Sequence, residues 1–184
     1  MHSRGVTLVE LVATLAVLAI ITALAAPNMG RWLETQQATT AHNALLGSLH
    51  LARAHAVTSG QRTVVCKSAD GRTCASEGSW NQGWMVFEDF GDEACTDTSG
   101  TGVCDEGGRI LGTHRGFTTR WIRISHNQNI ARRVVYPPHG TQRVHTNGTF
   151  SYCSVRDGRV LGGTVIAPSG RVRRAQSSEP GVAC

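Results

Sequence analysis

The feature that most constrains this chain is an apolar run near the N-terminus with a single carboxylate at its head. Residues 11–26 contain no charged side chain, and Glu10 directly precedes them. A carboxylate within an apolar membrane helix costs about 2.5–3.5 kcal/mol on insertion scales, so it requires a role and a partner. Three interpretations fit this N-terminus: a cleaved secretory signal ending near Ala25, a plain membrane anchor oriented by Arg4, and a short leader cut after Gly5.

Glu10 decides among the three, because the cores of signal peptides do not usually carry a carboxylate. Gly5, Val6, Thr7, Leu8 and Glu10 resemble the leader motif of type IV pilins, in which most members have Phe where this chain has Val6. The resemblance implies that a prepilin peptidase cleaves after Gly5 and that the new N-terminus, Val6, is methylated. It also implies that Glu10 pairs with the terminal amine of a neighbouring subunit during assembly.

The same resemblance implies a single-pass protein of the bacterial inner membrane, with its C-terminal domain in the periplasm and, after assembly, in a filament. We therefore divide the chain into a leader (1–5), a transmembrane and assembly helix (6–29), an amphipathic continuation of that helix (30–59) and an extracytoplasmic β domain with a basic tail (60–184). Pro27 predicts a kink or a locally unwound turn. The Ser59-Gly60 pair predicts the end of the helix.

The continuation of the helix is predicted from small and apolar residues at spacings of three and four, which form one stripe. They are Ala38, Ala41, Leu45, Leu49, Ala52 and Ala56. A helix from Val6 to Ser59 would be roughly 80 Å long, and only its first part can lie in lipid. We expect the stripe to pack on the β domain.

Short β-prone runs separated by Gly, Pro, Asn and Asp follow residue 60, and they predict strands. The runs are 62–67, 84–89, 120–125, 132–136, 149–153 and 164–167. Asn147-Gly148 and Asp157-Gly158 are interpreted as tight hairpin turns. The predicted fold class is α+β: a long N-terminal helix packed on an antiparallel β domain.

Six cysteines follow the apolar run, with no C-x-x-C pair that would indicate zinc or a redox dithiol: Cys66, Cys74, Cys95, Cys104, Cys153 and Cys184. Three disulfides in an oxidising compartment are the simplest interpretation, and reduced cytosolic thiols are the alternative. Sequence alone allows about fifteen pairings. Local closure favours pairing the first two cysteines, the next two, and the last two.

Landmarks across the body resemble the FimT/GspH group of minor pilins and pseudopilins. They are residues 83–89, Ile110-Leu111, 148–150 with Cys153, and Gly170-Arg171-Val172-Arg173 ahead of Cys184. This resemblance covers essentially the whole chain. It implies a β domain of two sheets on a pilin helix, in a subunit present in few copies near the tip of a filament.

The positive charge is concentrated in the second part of the chain. Residues 106–184 hold twelve arginines and three acidic side chains, a net charge of +9, whereas residues 1–105 have a net charge of −4. The densest basic element runs from Gly170 to Arg174. Alternation along an extended segment would place Arg171 and Arg173 on one side, where guanidinium groups suit successive phosphates. The alternative interpretation, without a ligand, is an edge strand whose arginines prevent aggregation.

In FimT-type minor pilins this Gly-Arg-x-Arg motif binds DNA during uptake for natural transformation. The resemblance implies that the double-stranded DNA backbone is bound non-specifically by Gly170, Arg171 and Arg173, with Arg174 as a neighbour. Arg143 and Arg156 are further candidates. The alternative function is that of a structural, GspH-like minor pseudopilin of a type II secretion system.

No cofactor, metal site or enzymatic activity is predicted. The acidic residues around Cys95 and Cys104 lack the spacing of a calcium loop and are interpreted as a solvated, disulfide-closed loop. His42, His50 and His55 on the helix are expected to be exposed, and no motif of a hydrolase or a phosphate-binding loop occurs.

Overall fold

The chain begins with one long helix, α1, which spans Leu8–Ser59. The computed structural model describes residues 7–91, 94–117, 120–139 and 147–184, without the side chains of residues 24–28. Thr7 caps the helix: its hydroxyl accepts from the Glu10 amide, and the Glu10 carboxylate accepts from the Thr7 amide. Gly60 ends the helix in the left-handed conformation at φ 67°, which glycine adopts without a steric penalty.

The N-terminal part of α1 projects away from the β domain. Every described side chain from Thr7 to Ala23 is exposed. The transmembrane segment was predicted over residues 6–29; within the described part of the chain, no helix is long and apolar enough to cross a membrane. The helix continues through Pro27, so the predicted local unwinding is wrong.

The predicted apolar stripe is the face of α1 that enters the core. Its six residues are between 0 and 5% exposed: Ala38, Ala41, Leu45, Leu49, Ala52 and Ala56. Alanines let the helix approach the sheets closely, and the two leucines fill the space between them. Because all described side chains of residues 7–23 are exposed and the main core begins at Ala38, a fragment from Gly30 to Cys184 retains the complete core.

In the described part of the chain, eight strands follow the helix: β1 Thr63–Lys67, β2 Gly83–Glu88, β3 Ile110–Arg115, β4 Ile122–His126, β5 Arg133–Tyr136, β6 Gly148–Ser154, β7 Val160–Ile166 and β8 Val172–Ala175. They form two antiparallel four-stranded sheets, in the orders β3-β2-β1-β5 and β4-β6-β7-β8. Side chains from both sheets and from α1 share one core, with Trp80, Trp84 and Tyr152 among its largest members. The predicted α+β class is confirmed.

Two strand predictions need correction. Asn147-Gly148 does not form a hairpin turn, because Gly148 begins β6, and a Cβ there would lie 2.5 Å from the Ile130 side chain. β7 starts at Val160 and not at residue 164, since Gly162 and Gly163 belong to the strand and do not end it. The turn at Asp157-Gly158 is confirmed, with Gly158 at φ 69° and its amide donating to the Ser154 carbonyl at 3.1 Å.

Three disulfides join Cys66 to Cys74, Cys95 to Cys104 and Cys153 to Cys184. This is the pairing that local closure favours. The first two lie in a second, smaller core on the other face of β1 and β2, with Val64, Met85 and Phe87. The third ties the C-terminus to β6.

Candidate nucleic-acid interface

The arginine motif occupies the tight turn between β7 and β8 and the strand that follows it. The Gly170 amide donates to the Ala167 carbonyl at 2.8 Å, and the Ala167 amide donates to the Arg171 carbonyl at 2.9 Å. Gly170 is buried at φ 74°, a conformation that a residue with a Cβ adopts only with strain. The glycine therefore sets the turn that presents Arg171, whose side chain is exposed.

β8 is an edge strand of its sheet, with β7 on one side only. Val172 points into the main core and is 6% exposed, while Arg173 and Arg174 are both exposed. Because successive side chains of a strand point to opposite faces, Arg173 lies on the outer face and Arg174 on the face towards α1. The motif thus presents arginines on both faces of one edge.

Arg173 is held by the chain's own C-terminal tail. Its guanidinium forms two parallel contacts with Glu179: Nη1 lies 2.9 Å from Oε2, and Nη2 contacts Oε1. The hydrogen bonds from Arg173 lower the pKa of the Glu179 carboxyl, and the same contact raises the pKa of Arg173. This is a bidentate carboxylate pair, the geometry that arginine also uses for phosphate.

Arg174 lies beside a buried polar cluster between α1 and the sheet. Nδ1 of His42 and the hydroxyl of Tyr152 each lie 2.8 Å from the hydroxyl of Thr164, which pairs with Arg174 in the ladder. His42 is only 3% exposed, so the prediction of an exposed histidine is wrong. Burial, and then the charge of Arg174, lower the pKa of His42. Burial also raises the pKa of the Tyr152 hydroxyl.

The C-terminal tail, residues 176–184, folds back over the outer face of the second sheet. Val182 is 7% exposed, and a Cβ on Gly163 would lie 2.9 Å from its side chain, so the glycine makes room for it. The Ala183 amide donates to the Ser151 hydroxyl at 3.1 Å. The disulfide to Cys153 closes the tail one residue later.

Arg156 lies away from the arginine motif. It is in the β6–β7 turn, where its Nη2 lies 3.2 Å from Oε1 of Glu34, a helix residue that is fully buried. Arg159 contacts the other oxygen of Glu34 at 3.5 Å. The β6–β7 turn and the arginine motif are at opposite ends of β7, which spans roughly 20 Å at the usual rise of a strand. Arg156 therefore clamps the sheet to α1 and does not extend the basic site.

Three predicted residues, Arg143, Gly5 and Val6, lie outside the described residues, so their roles stay predictions.

The acidic loop around Cys95 and Cys104 forms a local turn. Both carboxylate oxygens of Asp97 accept hydrogen bonds from backbone amides, including that of Gly102 at 2.9 Å. No group of three or more metal-ligating side chains occurs among residues 7–91, 94–117, 120–139 and 147–184.

The long N-terminal helix packed on a two-sheet antiparallel domain is the fold of type IV pilin-like subunits. The structure is similar to the type IV minor pilin FimU of Pseudomonas aeruginosa, with 18% identity and a TM-score of 0.57 over 80% of this chain and 95% of that chain. It is also matched to the minor pseudopilin EpsH of the Vibrio cholerae type 2 secretion system, with 13% identity and a TM-score of 0.48 over 77% and 97% of the two chains.

Comparison of the sequence with family models identifies the family within the pilin-like fold. Residues 41–172 match the family model of the type II transport protein GspH, which covers well over half of the chain. Residues 1–26 match the prokaryotic N-terminal methylation motif. No curated protein matches the sequence significantly. The chain belongs to the GspH family, and it is a type IV pilin-like minor pilin or pseudopilin of the FimT/GspH kind.

Proposed function

We propose that this protein is a minor pilin that binds double-stranded DNA without sequence preference, through the arginine motif of the β7–β8 hairpin, during uptake for natural transformation. The observation that carries the proposal is the exposure of Arg171, Arg173 and Arg174 on one turn and one free strand edge. Guanidinium groups bind phosphate oxygens, and backbone contacts of this kind carry no base information.

The electrostatics of the chain support an anionic partner. Residues 106–184 carry a net charge of +9, which comes from twelve arginines and three acidic residues. Of those acidic residues, Asp157 lies at the far end of β7, and only Glu179 contacts the motif among the described residues. The motif therefore has three arginines and one acidic contact, and its net positive charge attracts phosphates.

The proposal includes the N-terminal chemistry of the family. Cleavage after Gly5 by a prepilin peptidase, methylation of Val6 and anchoring in the inner membrane before assembly are supported by the matched methylation motif. Other filament subunits are the expected partners of α1, through its exposed apolar side chains between Leu8 and Ile21. We expect a periplasmic β domain before assembly, a place at the tip of the filament after it, and no catalytic activity.

The test is the binding of the 30–184 fragment to a labelled duplex, measured by fluorescence anisotropy at several salt concentrations. With two or three arginines engaged, the logarithm of the affinity should fall with the logarithm of the salt concentration with a slope of roughly −2 to −3. Changing Arg171 and Arg173 to glutamine should abolish most of the binding while the thermal unfolding midpoint stays the same, because exposed charges contribute little to stability.

A matched control separates the motif from net charge. Arg123 and Arg132 are exposed and lie outside the hairpin, so changing both to glutamine removes the same two charges. This variant should keep most of the parent's affinity. If both double variants lose affinity equally, the site is not the hairpin. If the parent shows no salt-sensitive binding, DNA is not the ligand.

The second candidate is a structural pseudopilin of a type II secretion system. It is favoured by the ion pair that already engages Arg173, which is what a purely structural hairpin would contain. It predicts a parent fragment that does not bind DNA, and a motif variant that alters filament assembly and leaves transformation unchanged.

A further inference from the structure

The C-terminal tail places a carboxylate where a DNA phosphate would bind. Residues 176–184 form two consecutive turns, in which the Glu179 amide donates to the Gln176 carbonyl and the Val182 amide donates to the Glu179 carbonyl, both at 3.1 Å. These turns bring Glu179 back to Arg173, six residues earlier in the chain. The position of Glu179 is therefore a product of the folded tail.

The contact uses both outer nitrogens of the Arg173 guanidinium, because each oxygen of Glu179 faces a different one. Phosphate binds a guanidinium through the same kind of two parallel N–H···O bonds. A carboxylate and a phosphate cannot occupy these donors at the same time. Within the motif, Arg171 and Arg174 are the arginines for which the described residues show no acidic contact within ion-pair distance.

We propose that the tail is an internal competitor of the DNA backbone, and that Glu179 lowers the affinity of the arginine motif by occupying Arg173. The proposal rests on the DNA-binding function proposed above and adds a regulatory residue to that site. Binding of a duplex displaces Glu179 from Arg173. The measured binding free energy is therefore that of three arginines, reduced by the free energy needed to break one internal ion pair.

The disulfide makes this competition persistent. Cys184 is bonded to Cys153, and Val182 is buried against the sheet, so Glu179 is held between two fixed points and cannot diffuse away. A tethered group acts at a high effective concentration because its rebinding is intramolecular. Opening the tether, by reduction or by removing both cysteines, should release Arg173 in the same way as removing the carboxylate.

The experiment compares Glu179→Gln with Asp157→Asn in the 30–184 fragment. Both substitutions raise the net charge by one, but Asp157 lies at the opposite end of β7, where it contacts Arg159 at 3.8 Å. Anisotropy titrations with the same labelled duplex should show about three- to five-fold tighter binding for Glu179→Gln, the size expected for an exposed ion pair. Its salt slope should stay close to the parent's, because Arg173 contacts the duplex in both complexes once Glu179 is displaced. Asp157→Asn should stay within about two-fold of the parent.

The outcomes separate the two proposals. Equal effects of Glu179→Gln and Asp157→Asn on a parent that binds DNA would overturn the competition and leave the DNA site intact. Three- to five-fold tighter binding by Glu179→Gln, with Asp157→Asn close to the parent, would support the competition. If parent and variants all fail to bind, the proposed function and the inference are both wrong.

A second variant confirms the role of the tether. Replacing Cys153 and Cys184 by alanine should raise the affinity by a similar factor, and adding Glu179→Gln to that background should then have little further effect, since the two changes act on one contact. Full additivity of the two changes would contradict a shared mechanism. Circular dichroism checks that each variant is folded.

Discussion

The Cys153–Cys184 disulfide should stabilise the β domain more than the Cys66–Cys74 disulfide does, because it closes a longer loop. The bonded cysteines are 31 residues apart in the first case and 8 in the second. In the chain-entropy model these loops correspond to about 3.7 and about 2.5 kcal/mol, a difference of about 1.2 kcal/mol. Each of these two disulfides joins one buried cysteine to a more exposed one, so their environments are comparable.

The assay is urea unfolding of the 30–184 fragment, followed by tryptophan fluorescence. Trp80 and Trp84 are 0% exposed, so their emission reports the loss of the main core. Each disulfide is removed by changing both of its cysteines to alanine. The free energy of unfolding is then compared with that of the parent, with the same dependence on urea concentration used for both. If the Cys66–Cys74 variant is destabilised as much as the Cys153–Cys184 variant or more, loop length does not govern the stabilisation in this domain.

Two further predictions concern protonation and processing. The pKa of His42 in the folded state is lowered below its ordinary value of about 6.5. As the pH falls through about 6.5, His42 therefore binds a proton in the unfolded state but not in the folded state. The free energy of unfolding should therefore decrease from about pH 6.5 downwards and level off below the folded pKa, and His42→Gln should flatten this part of the profile in urea titrations. Mass spectrometry of the membrane-extracted protein should show a chain that starts at Val6 with one added methyl group; a start at Ala26 would indicate a signal peptide instead. Glu10→Ala should be cleaved normally but enter filaments poorly.

The helix was predictable because its signal is local and periodic. The stripe from Ala38 to Ala56 repeats at the helical period, and the structure buries every one of its members. The end at Ser59 follows from Gly60, which adopts a conformation that favours glycine. Neither conclusion depends on knowing which sheet the helix contacts.

The strands were harder to predict where glycine has a packing role. Gly148 and Gly163 look like turn residues in sequence, but each sits in a strand because a distant side chain, Ile130 or Val182, fills the place of its Cβ. β3, Ile110–Arg115, was not predicted as a strand, since it is partly exposed on both faces and its side chains do not alternate between apolar and polar. These features arise from tertiary contacts and leave no periodic signal.

The arginine motif could be located from sequence, but its electrostatic partners could not. The exposure of Arg171 follows from the turn at Gly170, whereas the pairing of Arg173 with Glu179 depends on how the tail folds back. Arg156 was predicted to extend the basic surface, yet it pairs with Glu34, which is 122 positions away in the chain. Charge counts alone do not distinguish an arginine that is exposed for a ligand from one that is used inside the fold.

The parallel course of α1 and β7 determines how a pull on the hairpin tip would be distributed. Glu34 contacts the β6–β7 turn and Arg53 contacts Ser169 in the β7–β8 turn, so helix and strand run side by side in the same direction. The hydrogen bonds of an antiparallel ladder are perpendicular to its strands. Tension applied at Arg171 along the helix axis pulls β7 and β8 together, so it loads the hydrogen bonds between β7 and β6 in shear, all at the same time, instead of opening them one after another. The hairpin is oriented to pass a pulling force from its tip into the long helix.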